Sequence, residues 1–179
     1  MAQIVTITTS YGHGMSASPM HLAAAYAAIG NGGIYVKPTL LKQTGPAKGT
    51  RILSERVAHE AVKMLRLVVT TGTASLAEVP GYEVAGKTGT ADKPKKSGGY
   101  YKDKVINTFA SVFPASDPRY VVLVTLDEPV DTSGPKPKRT AGWTAVPVTA
   151  EIVRRIAPIM GLRPKVELPD QTTLTAAKN

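Results

Sequence analysis

From Tyr82 onward the apolar residues stop recurring every three or four positions and begin to alternate. This change of period constrains the fold more than any other feature, because a two-residue period is that of a strand with two distinct faces. Three such runs follow one another, at roughly 82–91, 106–113 and 119–126. The stretch from Arg119 to Glu128, RYVVLVTLDE, is almost continuously apolar, as a strand covered on both faces must be. A basic, glycine-containing segment joins the first two runs, and Pro114-Ala-Ser-Asp-Pro118 joins the last two. Sequential strands with connections of this kind form an antiparallel meander.

Helical periods flank the strands. Ser18-Pro19 is a capping residue followed by Pro in the first turn, and it opens a helix with Leu22, Tyr26 and Ile29 on one stripe. The helix ends at Gly30-Asn-Gly-Gly33. Ser54 caps a second helix to about Thr70, with Val57, Ala61, Met64, Leu65 and Val68 as its expected buried face and Gly72 as its breaker. A last helix follows the single Trp143, with Pro147 in its first turn, Val148, Ile152, Ile156 and Ile159 as its stripe, and Gly161 at its end. Residues 1–17 read as a short strand or extended entry, and 34–44 as a peripheral extended segment that Pro38 interrupts. The class is α+β: a three-stranded antiparallel sheet packed with helices over residues 1–165, followed by a polar tail over 166–179.

Composition removes several function classes. With no cysteine there is no disulfide framework, thiolate metal site or cysteine nucleophile. His13, His21 and His59 lack ligand spacing, so no metal is expected, and no cofactor either. The net charge of +9 is concentrated at Lys93, Lys95, Lys96, Lys102 and Lys104 and again at Lys136, Lys138 and Arg139. These runs contain Gly or Pro with few aromatic residues, which reads as solvated loop over 92–104 rather than as a nucleic-acid surface. No 18-residue apolar run and no secretory leader are present in these residues.

The stretch from Gly81 to Thr90, GYEVAGKTGT, satisfies two chemical patterns. From Gly81 it is the phosphate-cradling G-x-x-x-x-G-K-T, and VVLVTLDE, Val121 to Glu128, resembles the acidic Mg²⁺-binding strand that accompanies such loops. That chemistry requires a helix beginning at the lysine, whose free N–H groups bind phosphate. Lys87 is followed instead by Thr-Gly-Thr-Ala-Asp-Lys-Pro, which cannot sustain one. From Lys87 the stretch is K-T-G, which requires a strand. Alternation then places Lys87 and Gly89 on one face and Thr88 and Thr90 on the other, with Gly89 leaving room for close approach of a ligand or second backbone.

The context of that motif resembles a known family. The segment SYGHGMSASPMHLAAAYAAIGNGGIYVKP, the motif VAGKTGTA, the strand pair TFASVFPASDPRYVVLVTLDEP and the helix AVPVTAEIVRRIAPIMGL resemble, in the same order, the class B penicillin-binding proteins, and among them the septal, cell-division type. The resemblance spans about residues 4–165. It implies a partial serine β-lactamase/transpeptidase-like fold and a peptidoglycan D,D-transpeptidase that cross-links stem peptides by serine acylation. Its partners would be stem peptides, β-lactams and cell-division proteins. The parent protein would be anchored in the inner membrane with this domain in the periplasm. By the same resemblance Lys87 supplies positive charge beside the nucleophile and the substrate carboxylate. Thr88 and Thr90 hydrogen-bond along the carboxylate-binding strand, Gly89 lets the substrate approach, and the Thr90 N–H is one of two oxyanion donors. Tyr11 to Gly14 match a glycine-containing turn of the family.

The family's other two motifs are not found. No S-x-N occurs, and the one S-x-x-K, Ser133 to Lys136, contains Gly134 and Pro135 and follows K-T-G instead of preceding it. It reads as a loop. The resemblance therefore implies the C-terminal part of a transpeptidase domain, with nucleophile and second motif upstream and no acylation by this chain alone. Apolar surface laid bare by such a division predicts self-association. The alternative is a non-catalytic binding or regulatory module, or a basic binding protein, that retains this half of the fold.

Overall fold

The structure, a computed structural model, describes residues 3–10 and 16–165. Its elements are helices α1 (Gln3–Ser10), α2 (Pro19–Gly30), α3 (Glu55–Thr70) and α4 (Ala145–Ile159), and strands β1 (Ile34–Val36), β2 (Gly49–Arg51), β3 (Ala85–Pro94), β4 (Tyr100–Phe113) and β5 (Tyr120–Asp127). Short 3₁₀ turns lie at Ser75–Ala77 and Ala141–Trp143. The main sheet runs in the order β3-β4-β5, antiparallel throughout, and β1 and β2 form a separate antiparallel pair.

Register assigns the faces. Thr88 lies opposite Phe109 and Phe109 opposite Val124, while Thr90 lies opposite Asn107. This face carries the core, in which Phe109, Phe113 and Val124 pack with Val146, Ala150, Val153 and Ala157 of α4. Each fully buried Phe or Val removes enough apolar surface from water to favour folding by about 1.5–3 kcal/mol. On the other face Lys87 lies opposite Ala110 and Gly89 opposite Thr108, and α2 covers this side of β4 and β5. The apolar run of β5 is thus covered on both faces by helices.

Both predicted serine caps form: the Ser18 hydroxyl accepts from the His21 N–H and the Ser54 hydroxyl from the Val57 N–H, each at 3.3 Å. The buried stripes coincide only in part with those the periodicity favoured: the expected Val68, Ile152 and Ile156 pack against the core half-buried, and other positions lie deeper. In α3 the buried residues are Ala58, Val62 and Val69, with Val57 and Met64 exposed. In α4 they are Ala145, Val146, Thr149, Ala150, Val153 and Ala157, with Val148 and Ile159 exposed. In α2 Ala24 and Ala28 are buried, while Leu22, Tyr26 and Ile29 are half-buried. The reason is common to all three. A helix seated closely on its neighbour presents small residues at the line of contact, and its large aliphatic residues flank that line.

Two further expectations are corrected. Residues 3–10 form a helix rather than a strand, and the hydroxyls of Thr8 and Ser10 donate back to the Val5 and Ile7 carbonyls at 3.1 and 2.7 Å. Such back-bonding is available to Ser and Thr hydroxyls within a helical turn. The segment 92–104 is not a loop, since β3 continues to Pro94 and β4 begins at Tyr100, with a tight turn closed by Lys95 N–H to Gly99 O at 2.9 Å. The expected turn at Tyr11 to Gly14 and the tail after residue 165 lie outside the described residues.

Candidate functional site

The site is built on β3, whose entry is held from two directions. Arg66 of α3 donates to both carboxylate oxygens of Glu78, at 2.6 and 2.8 Å, and to the Val84 carbonyl at 2.8 Å. On the other side the Lys165 N–H donates to the Gly81 carbonyl at 2.9 Å. Glu83 adopts a left-handed φ of 44° there, accepts from the Ser116 hydroxyl and pairs with Lys165 at 3.2 Å. The Ser116 hydroxyl, and after it Lys165, hold the Glu83 carboxyl below the usual glutamate range.

The two glycines of the phosphate-loop pattern have packing reasons of their own. Gly81 has a φ of 84°, and a Cβ there would lie 2.6 Å from the Pro164 Cβ. A Cβ on Gly86 would lie 2.6 Å from the Ala110 carbonyl oxygen and 2.7 Å from the Phe109 ring. Lys87 sits within β3, where the K-T-G pattern requires it, and no helix begins at it. Asp127 and Glu128, the apparent Mg²⁺ pair, are taken up by Lys93 at 2.7 Å each, with Lys104 at 2.9 Å from Glu128.

Thr88 and Thr90 face one open cleft of about 540 Å³, lined also by Thr73, Leu76, Thr140 and Trp143. The Thr88 and Thr73 hydroxyls are 2.9 Å apart, and the Thr90 hydroxyl accepts from the Ala141 N–H at 3.0 Å. Lys87 lies on the opposite face, and its ammonium group donates to the Thr88 carbonyl at 2.8 Å. A Cβ added at Gly89 would meet only the Thr108 carbonyl, at 3.8 Å, so backbone approach at this point is open. β3 has β4 on one side and no strand on the other among the described residues. Its outer edge therefore offers main-chain donors and acceptors to an extended ligand.

Sequence reasoning found the strand and missed the rest of the cleft wall. Thr73 comes from the turn after α3, and Thr140, Ala141 and Trp143 from the turn before α4. The lone Trp was the one available signal. Trp143 is half-exposed at the cleft, with the Lys138 ammonium 3.1 Å from its ring centre. Ser133 and Lys136 lie in an irregular loop that the Asp131–Lys138 bridge closes, where the Ser133 N–H donates to Asp131 at 2.9 Å, so they share no helix face. His21 lies 2.8 Å from the Ser18 hydroxyl, His59 is exposed on α3, and His13 lies outside the described residues.

The overall fold agrees with comparison to known proteins. The sequence pattern described as penicillin binding protein transpeptidase domain matches residues 2–154. The chain belongs to this family. Among transpeptidase relatives, it is 37% identical to the probable peptidoglycan D,D-transpeptidase FtsI of Caulobacter vibrioides, covering 93% of this chain and 30% of that protein. The fold is similar to the transpeptidase domain of Burkholderia pseudomallei penicillin-binding protein 3, with a TM-score of 0.81 and 36% identity over 93% of this chain and 50% of that one. It is also similar to Mycobacterium tuberculosis penicillin-binding protein 3 complexed with ampicillin, with a TM-score of 0.75 and 29% identity over 89% of this chain and 38% of that one. The chain thus spans about a third of the length of the transpeptidase relative. Among the described residues no helix is long and apolar enough to cross a membrane.

Proposed function

We propose that this chain is the C-terminal part of a peptidoglycan D,D-transpeptidase of the class B penicillin-binding type, and that it supplies the K-T-G wall of the peptide site. The carrying observation is β3 itself, a sheet edge that is free among the described residues, beginning its motif at Lys87 and bearing Thr88 and Thr90 on an open cleft. An extended stem peptide, or a β-lactam in its place, pairs with that edge as an added strand. Lys87 provides the positive charge beside the nucleophile, and Thr88 and Thr90 hydrogen-bond the carboxylate end of the peptide. The Thr90 N–H is one donor of the oxyanion hole, and a serine carried elsewhere in the protein contributes the other. That serine attacks the D-Ala-D-Ala carbonyl, the terminal D-Ala leaves, and an amine of a neighbouring peptide then takes the acyl group.

A single oxyanion donor is typically worth about 2.7–4 kcal/mol in the transition state, so this wall without its partner is a binding surface rather than a catalyst. The described residues hold neither an S-x-x-K on a helix nor an S-x-N. The parent protein works outside the cytoplasmic membrane in septal wall synthesis, where division proteins are its partners. The likeness to the FtsI-type relative and to the ampicillin complex supports this reading.

The test joins two measurements on the full chain. A fluorescent penicillin is expected to leave no covalent adduct, and an adduct stable to denaturation would overturn the assignment of the nucleophile to another segment. A peptide ending in D-Ala-D-Ala is expected to bind weakly and perturb Trp143 fluorescence, with its amide-terminated analogue and the Thr90→Val variant both weaker. Equal binding by acid and amide would sink the carboxylate role of this strand.

A further inference from the structure

Asn107 lies on β4 directly opposite Thr90, fully buried on the core face of the sheet. Its side-chain amide donates twice, to the Arg139 carbonyl and to the Thr144 hydroxyl, both at 2.7 Å. The Arg139 carbonyl can only accept, which fixes the amide orientation. Thr144 in turn donates to the Thr140 carbonyl at 3.1 Å, and the Ala141 N–H reaches the Thr90 hydroxyl at 3.0 Å. Residues 139–144 therefore hang from two neighbouring positions of the sheet, Thr90 and Asn107. The Asn107 side-chain oxygen, Oδ1, has no hydrogen-bond partner among the described residues. A buried acceptor without a partner is unfavourable, so an amide at this position contributes through its two donated bonds at a cost in stability.

We infer that Asn107 is a positioning residue that holds the 139–144 wall, and with it Trp143, against the K-T-G strand. The inference rests on the reading of this cleft as the peptide site. Asn107 itself does not line the cleft. It sets the distance between the Thr88–Thr90 side and the Trp143 side, and so the width available to a bound peptide.

Trp143 is the only tryptophan, so its spectrum reports this wall alone. The experiment compares the full chain with Asn107→Asp, which keeps the shape and replaces the two-donor amide with a carboxyl that donates at most once, and Thr144→Val, which removes the receiving hydroxyl. Ser111→Ala is the control, because Ser111 is equally buried on the same strand and face, but its hydroxyl bonds Val122 at 2.9 Å and never meets the wall. Asn107→Asp and Thr144→Val are expected to lose at least half of the tryptophan near-ultraviolet dichroism and to raise acrylamide quenching by roughly twofold, as the segment samples open states. Their far-ultraviolet spectra stay unchanged, and Ser111→Ala lowers the midpoint of unfolding without altering either tryptophan signal. An unchanged Trp143 signal in Asn107→Asp, or the same loss in Ser111→Ala, overturns the inference. If Asn107→Asp does not fold, Thr144→Val decides the matter by the same readings. No ligand enters this measurement, so its failure is distinct from a failure of the peptide site. A further reading follows where the D-Ala-D-Ala peptide binds: Asn107→Asp and Thr144→Val bind it several-fold more weakly than Ser111→Ala, and equal affinities would remove the positioning role.

Discussion

Arg66 and Glu78 form a two-pronged pair, with both guanidinium contacts on one nitrogen pair and both carboxylate oxygens engaged, at 2.6 and 2.8 Å. The same guanidinium reaches the Val84 carbonyl, one residue before β3. One side chain thus ties the middle of α3 to the start of the motif strand. Arg66→Ala is expected to destabilise the chain by about 1–3 kcal/mol, as charge-assisted bonds to a carboxylate and a carbonyl are lost together. Arg66→Lys should recover only part of this, because an ammonium group lacks the planar fork. Urea unfolding of the two variants checks both outcomes.

Gly86 is expected to tolerate no side chain. An added Cβ meets backbone at the Ala110 carbonyl and two buried side chains, Phe109 and Ser111, all under 3.0 Å. Gly86→Ala should cost about 1–3 kcal/mol and shift the β3–β4 contact next to Lys87. Thermal unfolding measures the first effect, and amide chemical shifts of Lys87 to Thr90 the second. An unperturbed variant would show that close packing is not what requires glycine at this position.

Acid weakens the fold partly through Glu83. Its folded pKa lies below the unfolded value, because the Ser116 hydroxyl and Lys165 favour the charged form. Stability from this group is complete above the unfolded pKa, near 4.3 for a glutamate, and is lost as pH falls through the folded pKa. Glu83→Gln should therefore be less stable than the parent chain at neutral pH, and the two should converge in acid. Unfolding midpoints across a pH series give the comparison; a constant difference at every pH would argue against a titrating contact.

Self-association of the chain by itself is expected from the exposed stripe of Val57, Met64 and Leu67 on α3 and from the edge of β3 that is free among the described residues. Light scattering is expected to show a mass that rises with concentration, and Met64→Lys with Leu67→Lys should reduce it. A monomer at all concentrations would assign that stripe to ordinary exposed surface.

What the sequence determined by itself was local. Alternation placed K-T-G on a strand and sorted Lys87 and Gly89 from Thr88 and Thr90, because side-chain direction along a strand follows from backbone geometry alone. Ser18 and Ser54 marked helix starts for the same reason, since a cap is satisfied within its own turn. Tertiary structure decided what lay between elements. Which residues of α3 and α4 lie deepest depended on how each helix seats on its neighbours, and these were alanines and valines, such as Ala58, Val62, Val146 and Val153, that the expected stripes did not include. The basic stretch is a hairpin because the β3–β4 ladder continues through Asp92 and Val105 to the turn at Lys95–Gly99, and Lys93 and Lys104 on it meet Asp127 and Glu128, more than twenty residues downstream. The cleft wall arose in the same way. Asn107 meets Thr144 and Thr90 meets Ala141 only because the sheet and the turn before α4 are brought together, and hydrogen bonds spanning that much chain leave no periodic trace in the residues that make them.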